Sequence, residues 1–302
     1  MIILDRFFLS SLFLIVIVFF CLNPPVLAGS EQNTLEIFNT GLDNVHQNKY
    51  QKALVDFTQV IDRQDDLVGA AYSNRCLVNL QLQNNTAAEA DCIQAIKNNS
   101  DNLEAYLNLG LAYYRQGEYE QAIAQYERVI QREDRDYRAY YNRGLVYLAL
   151  NNYHKASADC QTALLFAPDS NTESKSLIYN DLALAYMMLA EDESAIIYFS
   201  KAIALNGNNY DAYFNRGCAH HRQGKYQAAI DDFTRVVQLN PNFTQVYVNR
   251  AILRHQIGQT DGAFSDLNSA LQQYKIRSDR QQYDLVVNLK QMLFYSQPSQ
   301  LV

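Results

Sequence analysis

The same pattern recurs along most of the chain at intervals of 34 residues. "AYLNLGLAYYRQGEYEQAIAQYERVI" from Ala105 aligns without gaps with "AYYNRGLVYLALNNYHKASADCQTAL" from Ala139. Including one degenerate copy and one copy delayed by five residues, seven copies begin at Ile37, Ala71, Ala105, Ala139, Ile178, Ala212 and Val246. Seven copies in one register predict an array of stacked units, in which each unit buries its apolar face against its neighbours.

Each copy has the pattern of two helices joined by a short polar turn. The first helix carries a small residue at Gly41, Cys76, Gly110, Gly144, Ala183, Gly217 and Ala251. The second carries one at Ala53, Ala88, Ala122, Ala156, Ala195, Ala229 and Ala263, followed four residues later by Phe57, Cys92, Tyr126, Cys160, Phe199, Phe233 and Leu267. Spacings of three and four place these residues on one face of each helix, so the paired helices can approach closely. Pro168 and Pro241 should end the second helix of their copies.

The repeat length, the small-residue positions, the aromatic residue after the turn and the terminal proline resemble the tetratricopeptide repeat (TPR) family. This resemblance implies an all-α fold, a right-handed α-solenoid superhelix whose first helices line a concave groove. We expect seven TPR units over residues 34–276, starting near 34, 69, 103, 137, 176, 210 and 244, a capping helix over 277–296 and a disordered tail over 297–302. Ser278 or Asp279 should cap the last helix. We expect four side chains of this helix to cover the core of the last repeat: Leu285, Leu289, Met292 and Leu293.

The N-terminus has the pattern of a targeting segment. Residues 7–22 form an uncharged apolar run, shorter than the roughly 20 residues of a typical spanning helix. Two prolines follow, and the sequence up to Ala28 resembles a secretory cleavage site. We expect residues 1–28 to be a signal peptide or a membrane anchor, with membrane association through residues 7–22 if the segment is uncleaved. Either outcome places the rest of the chain in the periplasm, the thylakoid lumen or the extracellular space, or anchors it to a membrane.

Oppositely charged residues recur together at a spacing of sixteen. Four copies carry an arginine in the first helix and an aspartate in the second: Arg75 and Asp91, Arg143 and Asp159, Arg216 and Asp232, Arg250 and Asp266. Where the arginine is replaced by Leu109 or Leu182, the aspartate is replaced by Gln125 or Tyr198. The first copy departs from the rule, since its Asp56 faces Thr40. Because the charges appear and vanish together, we predict structural ion pairs between the two helices of a repeat.

An asparagine also recurs within the first helix, where it is a mediocre helix former. The six positions are Asn39, Asn74, Asn108, Asn142, Asn215 and Asn249, with Asp181 in the fifth copy. Some TPR proteins, such as O-linked N-acetylglucosamine transferase, carry an asparagine ladder in the groove, and an amide can bind a peptide backbone through one acceptor and two donors. The alternative is a consensus residue that packs or bonds locally.

Selectivity would then come from neighbouring groove residues. The candidates, beside Leu111, are Tyr114, Arg115, Arg138, Tyr141, His221, Arg222 and His255. Arg138 with Asn142 partly resembles the carboxylate clamp of chaperone-binding TPR proteins, but Leu77 and Leu111 stand at clamp positions, so we expect no chaperone C-terminus as ligand. His221 and His255 occupy equivalent positions, where they either line the groove or form a basic, pH-sensitive patch.

Other function classes lack support in the sequence. A net charge of -7 argues against nucleic acid as a partner. The chain has no phosphate-binding loop, no H-E-x-x-H and no nucleophile elbow, so we expect no enzyme activity, no cofactor and no metal. Cys76, Cys92 and Cys160 stand at core positions and Cys218 follows one; a disulfide is possible outside the cytosol, but no pairing follows from the sequence.

The sequence therefore predicts a non-enzymatic scaffold or adaptor. Its groove would bind a segment of a protein or peptide partner, in the assembly or organisation of a membrane or envelope complex. Two alternatives remain open: a self-associating structural TPR protein, and an accessory subunit of a membrane enzyme complex.

Overall fold

The structure is a computed structural model that describes residues 29–295, and all secondary structure in that range is helical. The predictions for residues 1–28 and 297–302 lie outside the described residues. The helices in chain order are α1 (Gly29–His46), α2 (Tyr50–Arg63), α3 (Val68–Gln81), α4 (Asn85–Asn98), α5 (Leu103–Gln116), α6 (Tyr119–Arg132), α7 (Tyr137–Ala149), α8 (Tyr153–Phe166), α9 (Thr172–Met188), α10 (Asp192–Leu205), α11 (Tyr210–Arg222), α12 (Tyr226–Leu239), α13 (Thr244–Gln256), α14 (Thr260–Ile276) and α15 (Arg280–Phe294). None of these helices is both long and apolar enough to cross a membrane.

The chain divides into two compact units between Leu150 and Asn151. The first unit contains the helical hairpins α1/α2, α3/α4 and α5/α6, followed by α7. The second begins with α8 and continues with the hairpins α9/α10, α11/α12 and α13/α14 and the single helix α15. Helices α7 and α8 correspond to the fourth sequence repeat, and each is described with its own unit. The predicted fold class, repeated helix–turn–helix units, is confirmed.

Local sequence explains where the helices begin and end. The Asn102 side chain accepts a hydrogen bond from the backbone N–H of Ala105 at 3.0 Å, which caps α5. Gly117 ends the same helix with a φ of 79°, a left-handed conformation that glycine adopts readily. Helices α8 and α12 end two residues before Pro168 and Pro241, as predicted.

Close contact between a glycine and an aromatic ring holds three of the described hairpins together, α1/α2, α5/α6 and α11/α12. A Cβ atom added to Gly110 would lie 2.5 Å from the ring of Tyr126, and one added to Gly217 would lie 2.7 Å from the ring of Phe233. Both rings are almost fully buried. The repeated glycine is therefore required by packing between the two helices.

Within the first unit, the first helices of successive repeats lie on one side. Helices α1, α3, α5 and α7 contact one another in succession, and each second helix packs between two of them. No comparable contact joins α2, α4 and α6 in the described chain. Because the first helices lie closer to one another than the second helices do, they form the inner face of this unit. The inner face is the solvent-facing side of the first helices.

The last helix covers the end of the second unit. Asp279 caps it by accepting from the backbone N–H of Gln282 at 3.1 Å, and Leu289 and Leu293 pack against the core, as predicted. The prediction was wrong for Leu285 and Met292, whose side chains are 55% and 61% exposed. A helix with apolar residues on more than one face does not reveal its rotation by periodicity alone. The structure instead buries Val286, with Tyr283 and Phe294 beside it.

Candidate functional site

The recurring asparagines lie on the inner face of the first helices. Asn74, Asn108, Asn142, Asn215 and Asn249 are half-buried, and Asn39 is exposed. Residues such as Ala105, Leu109 and Ala112 are buried on the other side of the same helices, against the second helices. The asparagine amides are thus accessible from solvent in both units.

Most of these amides are not used within the protein. In the described part of the chain, no intramolecular hydrogen bond involves the side chains of Asn39, Asn108, Asn142 or Asn215. Asn74 donates to the backbone carbonyl of Ala70 on its own helix at 2.9 Å, and Asn249 accepts from Gln245 at 3.0 Å. The local-bonding alternative therefore describes Asn74 and Asn249. The other four retain donors and acceptors that a bound segment could use.

A row of leucines accompanies the asparagines in the first unit. Each leucine follows its asparagine by three residues, so both lie on the same helix face. The four are Leu42, Leu77, Leu111 and Leu145, and all are half-buried. The corresponding residues in α11 and α13 are Cys218 and Ile252, also half-buried. From the sequence, Leu111 was predicted to line the groove and Leu77 was noted only as a departure from the clamp pattern, although the repeat register indicates all four.

The structure brings three of the four charged pairs together. The shortest nitrogen–oxygen distances are 2.6 Å for Arg75–Asp91, 2.6 Å for Arg216–Asp232 and 2.7 Å for Arg250–Asp266. In each pair two guanidinium nitrogens donate to the two carboxylate oxygens, the geometry of the strongest ion pairs. The residues Arg143 and Asp159 belong to different units, so that pair stays a prediction.

Each of these arginines also reaches the preceding repeat, which the sequence analysis missed. The Nη1 atom of Arg216 donates to the hydroxyl of Ser200 at 2.9 Å, and that of Arg250 donates to Thr234 at 3.0 Å. Arg75 makes the same contact with Thr58. These hydroxyls donate to carbonyls of their own helices, so their oxygens are left to accept from arginine. The charged pair therefore joins neighbouring repeats as well as the two helices of one repeat.

A further donor supports several of the second-helix aspartates. Asn44 donates to Asp56 at 2.8 Å, Asn79 to Asp91 at 2.9 Å and Arg254 to Asp266 at 2.8 Å. The first copy therefore supplies Asp56 with an amide in place of an arginine, since the hydroxyl of Thr40 donates to the backbone carbonyl of Glu36.

His220 occupies, in the sixth repeat, the position that Asn44, Asn79 and Arg254 occupy in their repeats. Its Nε2 lies 4.0 Å from Asp232, and its buried Nδ1 has no hydrogen-bond partner. Burial lowers the pKa of His220 from its usual value; Asp232 opposes this shift, while Arg216 and Lys225 add to it. The imidazole is therefore in its neutral form near neutral pH.

Two of the predicted groove arginines make structural contacts between repeats. Arg115 donates to the backbone carbonyl of Leu80 near the end of α3 at 2.7 Å. Arg222 donates to the equivalent carbonyl of Met187 in α9 at 2.8 Å and lies 3.2 Å from Asp192. These carbonyls belong to the last turn of a helix, where a cation is favourable. Both side chains thus tie successive first helices together.

Arg138 is also occupied by neighbouring carboxylates. Its guanidinium lies 2.6 Å from Glu104 and 2.7 Å from Asp136. A cation balanced by two carboxylates attracts a partner's carboxylate weakly. The arrangement therefore does not favour a clamp for a peptide C-terminus at Arg138.

The remaining candidates are aromatic or imidazole side chains. Tyr114 lies 6.0 Å from Tyr119 between ring centroids, and Tyr141 is half-buried on α7. His221 is exposed beside Tyr226, at 6.0 Å, and His255 contacts the ring of Phe294 on α15, at 5.4 Å. Among the described residues the two histidines share no contact, and no group of three metal-ligating side chains occurs.

A disulfide joins Cys76 of α3 to Cys92 of α4, with the Cα atoms 5.4 Å apart. Both cysteines are fully buried. They stand where other repeats place a glycine against an aromatic ring, such as Gly217 against Phe233. Two small side chains would leave that space unfilled, and the covalent bridge takes the place of the ring contact. Cys160 and Cys218 are free thiols in the described chain.

Comparison with known proteins agrees with the repeat architecture. Sequence profiles described as "Tetratricopeptide repeat" match residues 77–132, 107–171, 177–209 and 210–243. A search among proteins with curated descriptions found no match.

Solved structures share the fold at low sequence identity. A TPR protein from Parabacteroides merdae is 19% identical, with 85% of this chain and 99% of its own covered and a TM-score of 0.62. YrrB, described as a TPR protein with an unusual peptide-binding site, is 22% identical over 66% of this chain and 97% of its own, with a TM-score of 0.53. MamA is 22% identical over 57% and 97%, also with a TM-score of 0.53. At these identities the likeness concerns the fold.

Proposed function

The chain belongs to the tetratricopeptide repeat family, and on that premise we propose that it is a non-enzymatic scaffold that binds an extended segment of a partner protein along its inner face. The observation that carries this proposal is the set of accessible amides at Asn39, Asn108 and Asn142 of the first unit, which make no hydrogen bond within the described chain; Asn215 has the same character within the second unit. An amide side chain can pair with the N–H and C=O groups of any peptide backbone. The peptide-binding site named for YrrB supports the same use of this fold.

Backbone hydrogen bonds alone would bind weakly. Each neutral hydrogen bond contributes about 0.5–1.5 kcal/mol, so one bond to each of the three amides of the first unit gives about 1.5–4.5 kcal/mol. Micromolar affinity needs about 8 kcal/mol. Apolar contacts must supply the difference, and the leucine row beside the amides is placed to make them.

We further propose that the protein works outside the cytosol, in the assembly or organisation of a membrane or envelope complex. The Cys76–Cys92 disulfide supports this location, because disulfides persist mainly in oxidising compartments. The apolar run at residues 7–22 with the cleavage pattern ending at Ala28 supports export independently.

The binding proposal is tested by affinity capture from the exported fraction, with mass spectrometry of the captured proteins. A variant carrying Asn39→Ala, Asn108→Ala and Asn142→Ala should lose the partner that the wild type retains. The matched control replaces three exposed asparagines outside the inner face: Asn208→Ala, Asn242→Ala and Asn288→Ala. If the inner-face variant and the wild type capture identical sets, the amides do not bind the partner.

A further inference from the structure

We infer that the first unit takes an uncharged partner segment in polyproline II conformation, with an aliphatic side chain at every third residue. This inference rests on the proposed function and specifies its ligand. It depends on the leucine row, on the charges around that row and on the spacing of the first helices.

The leucine row gives one apolar contact for each first helix. Leu42, Leu77, Leu111 and Leu145 occupy equivalent positions on α1, α3, α5 and α7. Each remains half-buried in the folded protein, so part of every side chain is still in contact with solvent. Covering this remaining apolar surface is favourable at about 25 cal/mol per Å². The accessible amide of Asn108 or Asn142 lies one turn before its leucine, so backbone and side-chain contacts alternate along the face.

Arginines of α3, α5 and α7 are already engaged by other groups of the protein. Arg138 and Glu104 face each other at 2.6 Å, and Arg115 is held on the Leu80 carbonyl. Arg75 is held by Asp91. A charged ligand side chain here would lose hydration and would have to displace one of these contacts to gain a partner. The face therefore selects an uncharged segment.

Helix spacing determines the period of the ligand. Successive first helices contact one another, and helices in contact have axes about 8–10 Å apart. A polyproline II chain advances about 3.1 Å per residue with three residues per turn, so equivalent side chains recur about every 9 Å. Same-face side chains of a β-strand recur about every 7 Å, and that mismatch accumulates over four helices. A segment of about twelve residues in polyproline II conformation thus places one apolar side chain on each leucine.

Synthetic peptides test the inference by fluorescence anisotropy with the full chain. The probe is a capped twelve-residue peptide with four Leu-Pro-Gln repeats. One control has the same composition with its leucines grouped together, and another has lysine in place of each glutamine. The probe should bind at least tenfold more tightly than either control. Equal binding of the grouped peptide would overturn the spacing, and tighter binding of the lysine peptide would overturn the charge argument.

Variants of the protein locate the contact. Leu77→Ser with Leu111→Ser should weaken binding of the probe by roughly tenfold or more, about 1.4 kcal/mol. The matched control, Leu165→Ser with Leu205→Ser, changes exposed leucines of second helices and should leave binding unchanged. Circular dichroism checks that both variants fold. Equal effects of the two pairs would overturn the inference.

The failure of this inference can be distinguished from that of the proposed function. If no peptide binds but the asparagine variant still loses its captured partner, the period and the apolar chemistry are wrong and the scaffold role stands. If neither the asparagine nor the leucine changes affect capture, the inner face is not the binding surface and both proposals fail.

Discussion

At the scale of single residues, the buried carboxylate of Asp232 depends on two nitrogen atoms of Arg216. Arg216→Leu should lower the free energy of unfolding by about 3–5 kcal/mol, because it leaves a buried charge without its partner. Adding Asp232→Gln should restore most of the loss, since the third repeat carries Leu109 and Gln125 at these positions, both buried. Urea unfolding of the wild type, both single variants and the double variant measures the coupling. A double variant less stable than the sum of the single changes would contradict the pairing.

His220 gives the sixth repeat a dependence on acid. Because its pKa in the folded protein lies below the usual value of about 6.5, the unfolded chain binds the proton more readily. Stability should therefore fall as the pH drops below about 6.5, until the folded-state pKa has also been passed. His220→Asn should reduce the difference in unfolding free energy between about pH 7.5 and about pH 5.5. The asparagine should also donate to Asp232 as Asn79 donates to Asp91.

The neighbouring His221 provides the control for this prediction. It is exposed, so His221→Asn should leave the pH dependence as in the wild type. Urea unfolding at both pH values compares the two variants. Equal behaviour of the two would assign the acid sensitivity elsewhere in the chain.

At the scale of the helices, the disulfide links α3 to α4 across a sequence separation of 16. Reduction should lower the unfolding free energy by about 3 kcal/mol, mainly because a loop of this length is no longer closed in the unfolded chain. A variant with Cys76→Gly and Cys92→Phe should recover part of this loss through the contact that Gly217 and Phe233 make. Denaturant midpoints with and without dithiothreitol measure both effects. A variant whose midpoint still responds to the reductant would show that another bond is involved.

In α15, a buried and an exposed apolar residue are adjacent, and replacing each in turn by aspartate tests how the helix packs. Val286 is 4% exposed and Leu285 is 55% exposed. Val286→Asp should lower stability by roughly 3 kcal/mol, because it places a carboxylate without a partner in the core. Leu285→Asp should change it by less than about 0.5 kcal/mol. Thermal unfolding distinguishes the two, and similar melting temperatures would mean that α15 does not cover the end of the second unit.

At the scale of the whole chain, the repeat register predicted the helix pairs and the charged pairs because every copy tests the same positions. The same register also indicates the disulfide, which the sequence-based prediction left open. The spacing of sixteen that pairs Arg75 with Asp91 pairs Cys76 with Cys92 one residue later. The contacts to the preceding repeat could not be read in this way, because they depend on how far apart two copies pack. For the same reason the sequence did not show that Arg115 binds a carbonyl of its neighbour.

Export is the prediction that belongs to the entire polypeptide. Expressed with residues 1–28 in a bacterial host, the chain should leave the cytosol, and its mature form should begin at Gly29 by mass spectrometry. In denaturant it should show two fewer reactive thiols before reduction than after. Val16→Arg places a charge in the apolar run and should hold the chain in the cytosol. A mature protein that begins at Met1 would show that the segment is retained.

The hydroxyl that each arginine reaches in the preceding repeat limits how the units can be rearranged. Ser200 precedes Arg216 and Thr234 precedes Arg250, whereas the second repeat presents Ile93 to the repeat that follows it. A unit of the arginine type inserted after the second repeat would meet an aliphatic side chain where it needs an acceptor. Copies that look interchangeable by length therefore have a preferred order, and shuffling or duplicating them would succeed only where neighbouring side chains match.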